Sequence, residues 1–200
     1  MDIRYNLPYQ VMDIHDAIRT RRTIAKFTDE PVPPEILIDL LSAGIWAPNH
    51  HLTEPWRFII IGPESRRELA GRFAELKANK VPAEDVARRS RVHAEHERKF
   101  QSIPVIVAVA SACDGDEIRR REDFAATACA VQNIQLAAWA EGIGVKWSTS
   151  GLIRDPLAYR LLNIDPAQQE IIGLLFIGYP AEIPVRDRKR PLSEVIRQVP

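Results

Sequence analysis

The segment Pro104-Val105-Ile106-Val107-Ala108-Val109-Ala110 is a continuous apolar run of strand length near the middle of the chain. A strand without polar alternation is buried on both faces, so this run predicts a central strand of a sheet covered by helices. A long helix is predicted to follow from about Ile118 to Glu141 and to end at Gly142. Its middle is apolar almost all round, which is typical of a helix buried in a core or between subunits.

Shorter elements surround this centre. Three further segments have the residue pattern of strands: 56–61, 145–148 and 170–177. Helical patterns occupy four other stretches: after Asp13, from Pro34 to about Pro48, from Glu64 to about Phe100 with a break near Val81-Pro82, and from Asp155-Pro156. This mixture, in which helices dominate, predicts an α+β or α/β domain.

The composition of the 200-residue chain, 46% hydrophobic and 27% charged, is that of an ordinary globular domain. Lys plus Arg number 27 and Asp plus Glu number 27, a balance that argues against a nucleic-acid binder. No apolar run reaches bilayer length, and no secretory signal pattern is visible at the start of the sequence. We therefore expect one domain over residues 1–200, located in the cytoplasm, with no nucleic-acid or membrane partner.

Three polar segments could carry chemistry. The basic cluster Arg19-Thr20-Arg21-Arg22-Thr23 offers the guanidinium groups and hydroxyl that bind a phosphate monoester, although the same residues would suit a solvated helix end. The loop 47–56 lies between a helix and a strand, where binding sites concentrate, but it could also be a plain connector. The glycines and hydroxyl residues of segment 142–151 could present N–H groups to an anion or an electron-rich ring.

Other chemistries have weaker support. His93 and His96 share one helix face, but no third ligand is evident nearby, so we expect no metal. Neither Cys113 nor Cys129 neighbours a basic cluster, which gives little support to a thiolate nucleophile. The sequence has no Gly-x-Ser-x-Gly motif, so acyl transfer is not suggested.

The order of the three polar segments resembles that of the nitroreductase family of FMN-dependent flavoproteins. The resemblance spans nearly the whole chain and rests on five motifs: Arg21–Phe27, Val32–Glu35, Ala43–His50, Pro55–Phe58 and Ile177–Pro180. The short chain and the Ala-Pro-Asn-His loop look closest to the small bacterial nitroreductase-like proteins. The resemblance implies an α+β fold with a central mixed, mainly antiparallel sheet flanked by helices. It also implies a homodimer with flavin sites at its interface.

The resemblance carries family roles onto matching residues. It implies that Arg21, Arg22 and Thr23 hold the FMN phosphate and ribityl chain. The segment whose backbone faces the N5 edge of the flavin matches Trp147, Ser148 and Thr149. The loop that reaches the flavin from the other subunit matches Trp46, Pro48, Asn49 and His50. The family's C-terminal basic patch near the phosphate matches Arg188, Lys189 or Arg190.

The implied activity is that of an NAD(P)H-dependent oxidoreductase in which flavin N5 carries the hydride and no side chain is a catalytic nucleophile or base. NADH or NADPH would reduce FMN, and a nitroaromatic, quinone or related small acceptor would oxidise it in a ping-pong order. Two other functions stay open: a flavin-modifying or dehalogenating member of the same fold, and a non-catalytic FMN-binding dimer. Ala25 stands where many family members have Lys or Arg near the flavin pyrimidine, a departure that concerns the flavin potential.

Overall fold

The computed structural model describes residues 12–185 and 188–199. Its centre is a sheet of four strands: β1 (Trp56–Ile60), β2 (Val105–Ala112), β3 (Gly144–Ser148) and β4 (Gln169–Gly178). The strands lie in the order β1-β2-β4-β3, and every neighbouring pair is antiparallel. The parallel contribution in the described residues is one isolated bridge between Thr23 and Val145. The predicted α+β class and its mainly antiparallel sheet are confirmed.

Six α-helices are present in the described residues: α1 (Ile14–Thr20), α2 (Pro34–Gly44), α3 (Pro63–Ala78), α4 (Val86–Gln101), α5 (Glu117–Ala140) and α6 (Pro156–Leu161). Local sequence explains where they begin. Asp13, Asp85, Asp116 and Asp155 each accept a hydrogen bond from a backbone N–H of the first helical turn. The helices α2, α3 and α6 start at a proline, whose missing N–H has no partner there in any case.

Helices cover both faces of the sheet, as the apolar run at 104–110 predicts. Because side chains alternate along a strand, Ile106 and Ala108 of β2 face one side, whereas Val107 and Val109 face the other. The first side packs on α3, α4 and α6, and the second packs on α2 and α5. All four of these side chains are fully buried, which places β2 at the centre of the core.

The helix α5 has two different sides. Ala130, Val131 and Ile134 face the core and are fully buried. On the outer side Phe124 is 43% exposed, and Cys129 is also exposed. The inner side therefore meets the expectation of a helix buried in a core or between subunits, and the outer side is exposed in one chain. Within the described residues, no helix is both long and apolar enough to span a bilayer.

Candidate functional site

An extended segment, residues 21–28, places the first basic cluster along the outer edge of β3. The backbone N–H of Ile24 donates to the carbonyl of Val145 (3.3 Å), and that of Thr28 donates to Tyr179 (2.9 Å). This close approach requires Gly144, because a Cβ at that position would overlap the Ile24 side chain. Arg21, Arg22 and Thr23 therefore lie beside the strand that carries Trp147 and Ser148.

The predicted phosphate-binding residues surround a cavity of about 660 Å³, which we call the anion cavity. Arg21, Arg22 and Thr23 line it, and Arg188 joins them from the C-terminal segment. The structure thus brings Arg188 to this cavity, whereas the neighbouring Lys189 and Arg190 do not line it. The other lining residues are Arg19, Ala25, Lys26, Glu182 and Pro184.

Positive charge in the anion cavity is not fully compensated. The buried Nη1 of Arg21 has no hydrogen-bond partner among the residues that the structure describes. Burial lowers the pKa of Arg21, and the nearby Arg188 and Arg22 lower it further. A guanidinium remains protonated in proteins, so an unpaired, partly buried one is unfavourable until an anion binds it. The cavity therefore has the donors and charge that a phosphate group requires.

Arg22 also has a structural role. Its Nη1 lies 2.9 Å from the carbonyl oxygens of Arg19 and Thr20 and 3.1 Å from that of Arg21. Cationic donors at these carbonyls stabilise the C-terminal end of α1. The helix-end interpretation therefore applies to Arg22, whereas the buried Nη1 of Arg21 has no hydrogen-bond partner in the described chain.

The end of β3 is fixed by the indole of Trp147, whose Nε1 donates to the carbonyl of Ile172 (3.2 Å). A Cβ at Gly173 would overlap this indole, so the glycine is required for its position. Ser148 is half-buried and Thr149 is exposed just beyond it. The next residue, Ser150, belongs to the predicted segment 142–151 but not to the residues matched to the flavin contact. Its Oγ is buried without a hydrogen-bond partner in the described chain.

The loop 46–54, which we call the β1 loop, projects side chains into solvent. Trp46 is 82% exposed and Leu52 is 81% exposed. His51, Leu52 and Glu54 adopt positive φ angles of 54°, 53° and 43°, a left-handed conformation that is unfavourable for side chains of this size. Such strain persists only where surrounding contacts impose it, and it clusters at functional positions.

Hydrogen bonds hold the β1 loop in this strained form. Asn49 is half-buried, and its Oδ1 accepts from the backbone N–H of Glu54 (3.0 Å). The loop is also tied to α5: His50 Nδ1 lies 2.8 Å from Glu122 Oε2, and Thr53 Oγ1 donates to Asp123 Oδ1 (2.6 Å). Pro48 is exposed beside them. The β1 loop and the exposed side of α5 therefore form one surface.

The structure does not bring the β1 loop and the anion cavity together within one chain. The loop leads into β1, which is one edge strand of the sheet, and the cavity lies along β3, the other edge strand. Trp46, Pro48, Asn49 and His50 are absent from the lining of the cavity. Within one chain, the two regions therefore lie at opposite edges of the sheet.

The sequence profile of the Nitroreductase family matches residues 18–179. The chain belongs to this family. The nitroreductase match includes the β1 loop, the Arg21–Thr23 cluster and the end of β3, while Arg188 lies beyond it. The family and fold expected from the motifs are therefore confirmed.

Individual nitroreductase-like proteins match nearly the whole chain. YfhC of Bacillus subtilis (strain 168), provisionally named an NAD(P)H nitroreductase, is 32% identical over 182 residues, which are 90% of this chain and 91% of YfhC. A crystal structure of a nitroreductase-like family protein from Bacillus cereus is 31% identical, with a TM-score of 0.78, over 96% of this chain and 99% of that one. An FMN complex from Desulfovibrio desulfuricans, provisionally named a nitroreductase, is 27% identical with a TM-score of 0.73, over 94% and 98% of the two chains.

Proposed function

We propose that this protein is an FMN-dependent NAD(P)H oxidoreductase that reduces a nitroaromatic, a quinone or a related small acceptor. The observation that carries the proposal is the buried, unpartnered Nη1 of Arg21 beside Arg22 and Arg188. The FMN bound to the Desulfovibrio protein and the NAD(P)H donor in the name of YfhC support it.

The residues present fit FMN. Arg21, Arg22 and Arg188 would bind its phosphate through charge-assisted hydrogen bonds, and Thr23 adds a hydroxyl. The segment 147–149 at the end of β3 would face the N5 edge of the ring. Bound FMN supplies hydride chemistry, while the protein supplies binding, orientation and access.

The two cysteines offer no competing nucleophile. Cys113 follows β2, and burial and the nearby Glu170 raise the pKa of its thiol. A raised pKa lowers the fraction of reactive thiolate at neutral pH. Cys129 lies on the outer side of α5, on a different element from the anion cavity. The contribution of the chain is therefore to position a cofactor and to admit two substrates in turn.

We further propose a homodimer in which the β1 loop of one subunit completes the FMN site of the other. The loop lies at the opposite sheet edge from the anion cavity, and it presents Trp46 and Leu52 outward. The outer side of α5, with Phe124 exposed, continues the same apolar surface. Exposed apolar side chains grouped on one surface are typical of an interface.

The visible absorption spectrum of the purified protein tests the function. We expect flavin bands that bleach when NADH or NADPH is added without oxygen and return when a nitroaromatic is added. Flavin that stays oxidised with both donors would contradict the oxidoreductase and favour a non-catalytic FMN-binding dimer. A protein that takes up no flavin even after incubation with FMN would overturn the whole proposal.

Initial-rate kinetics test the order of the reaction. The donor and the acceptor would use one open face of the site in turn, so we expect ping-pong kinetics. Double-reciprocal plots at several fixed acceptor concentrations should then be parallel. Intersecting lines would mean that both substrates bind together.

A further inference from the structure

A second cavity, of about 520 Å³, opens next to the anion cavity and shares Ala25 and Lys26 with it. It lies between α3, α4 and the side of the sheet formed by β3 and β4. We call it the lysine–phenylalanine cavity after the residues that dominate its lining: Phe73, Lys77, Phe100, Lys146 and Phe176. Neither of these lysines was selected from the sequence.

Three aromatic rings form a wall of this cavity. Phe100 is only 1% exposed, and its ring centroid lies 5.2 Å from that of Phe73 and 5.7 Å from that of Phe176. His96 continues the wall, with its ring 6.0 Å from Phe73. Aromatic walls bury planar ligands by stacked or edge-to-face contact.

Two cations face this wall without a carboxylate partner. Lys77 Nζ lies 5.1 Å from the ring centroid of Phe73, and Lys146 Nζ lies 5.8 Å from that of Phe176. The other lysines of the lining, Lys26 and Lys99, are paired with Glu182 and Glu95. Over the described residues, neither Lys77 nor Lys146 forms an ion pair.

The electrostatics of Lys77 agree with an anion site. Burial lowers its pKa, and repulsion from Lys80 and Lys146 lowers it further. Ammonium groups that repel one another in a half-buried cavity are stabilised when a negative charge enters. Asp29 is the acidic member of the lining, so the balance of charge around the cavity is positive.

We propose that the lysine–phenylalanine cavity binds the electron acceptor, and that this acceptor is a small aromatic carboxylate whose anionic group contacts Lys77 and Lys146. This inference rests on the proposed function and narrows its substrate class. For a nitrobenzoate the first reduction would balance as Ar–NO₂ + NAD(P)H + H⁺ → Ar–NO + NAD(P)⁺ + H₂O. Two electrons and two protons reach the nitro group, and one of its oxygens leaves as water.

A matched pair of acceptors tests the charge requirement. 4-Nitrobenzoate and 4-nitrobenzamide have nearly the same size, but only the first is anionic. For the wild type we expect kcat/KM to favour the carboxylate by about tenfold, as expected for a charge-assisted hydrogen bond. Lys77→Met and Lys146→Met should each reduce this preference, through KM more than kcat. Arg88→Met, which removes an exposed cation of α4 outside the cavity, should retain it.

Direct binding separates this inference from the proposed function. Calorimetric titration with benzoate and with benzamide needs no turnover, so it tests the cavity even if the protein proves inactive with NAD(P)H. We expect benzoate to bind more tightly, and we expect Lys77→Met to reduce the difference. Equal binding of the two ligands would overturn the inference.

Two other outcomes would also overturn it. If Lys77→Met or Lys146→Met lowers the FMN content as much as a substitution of Arg21, then the cavity holds the cofactor instead. If these variants raise KM for NADPH and leave the preference for 4-nitrobenzoate unchanged, then the lysines bind the phosphates of the donor.

Discussion

The anion cavity and the β1 loop differ in the kind of group that lacks a partner in one chain. In the anion cavity the buried Nη1 of Arg21 has no partner, and its neighbours Arg22 and Arg188 carry the same charge. In the β1 loop the side chains of Asn49, His50 and Thr53 have hydrogen-bond partners, and large apolar side chains such as Trp46 are left in solvent. Unsatisfied charge indicates a charged ligand, whereas unsatisfied apolar surface indicates a protein partner.

The largest effect is expected from Arg21→Ala, which removes the unsatisfied group itself. Loss of a charge-assisted hydrogen bond to phosphate should weaken FMN binding by about tenfold to a hundredfold. The same change relieves repulsion with Arg22 and Arg188, so thermal stability of the FMN-free protein should not fall. FMN titration and thermal melting would measure the two quantities. Arg160→Ala, on the exposed side of α6, is a control that should change neither. Unchanged FMN affinity in Arg21→Ala would show that the cavity is not the phosphate site.

The next effect concerns the exposed apolar surface. Trp46→Ala should weaken dimerisation by about 2 kcal/mol or more, as for a large interface anchor. It should leave the fold of each chain intact, because the side chain is 82% exposed. Sedimentation over a range of concentrations would measure the dimer, with Val86→Ala, also exposed, as the control.

Mixing the two variants makes this comparison sharper. Arg21→Ala lacks a phosphate-binding group in its own anion cavity. Trp46→Ala lacks the apolar side chain that it would contribute to the site of its partner. A mixed dimer of the two variants contains one site with both features intact, so FMN binding should partly recover on mixing. No recovery would mean that both features act within a single chain.

A smaller effect is expected where β3 is fixed to β4. Gly173→Ala forces the Trp147 indole to move and should destabilise the protein by about 1–3 kcal/mol. Gly71→Ala in α3 is the matched control, because a Cβ there meets no neighbouring heavy atom. It should stabilise the helix by up to about 1 kcal/mol. Denaturant unfolding would measure both, and equal stability of the two variants would show that Trp147 moves without cost.

The smallest effect is expected from Glu182→Gln, which removes the acidic group that lines the anion cavity. Its partner Lys26, 2.7 Å away, would then be free to interact with the phosphate. Both side chains are exposed and screened by solvent, so FMN affinity should rise by less than about threefold. The gain should disappear at high salt, which a titration in added sodium chloride would reveal. A fall in affinity would indicate that the Lys26–Glu182 pair positions the segment instead.

Local patterns in the sequence were sufficient to predict the main helices and strands. The apolar run at 104–110 became β2, and the predicted starts at Asp13, Pro34 and Asp155-Pro156 became the beginnings of α1, α2 and α6. The family motifs also led to the correct fold. These predictions depend on residues close in sequence, where periodicity and capping act directly.

Features that depend on distant pairing were not accessible in this way. The placement of Arg21 and the β1 loop at opposite sheet edges follows from the strand order, which no local pattern specifies. Arg188 could not be separated from Lys189 and Arg190, because three consecutive basic residues have no distinguishing period. Lys77 and Lys146 lie on a helix and a strand far apart in sequence, and only the packed fold places them around one cavity.

The β1 loop and the anion cavity lie at opposite sheet edges, so FMN binding in the proposed dimer should depend on the protein concentration. Any ligand that binds only the assembled pair draws chains together by mass action, and assembly in turn strengthens its binding. Retention of FMN should therefore fall on dilution of the protein, even when the free FMN concentration is held constant. A newly made chain would gain its full cofactor affinity only after meeting a second copy, so the supply of active protein would rise more steeply than the supply of chains.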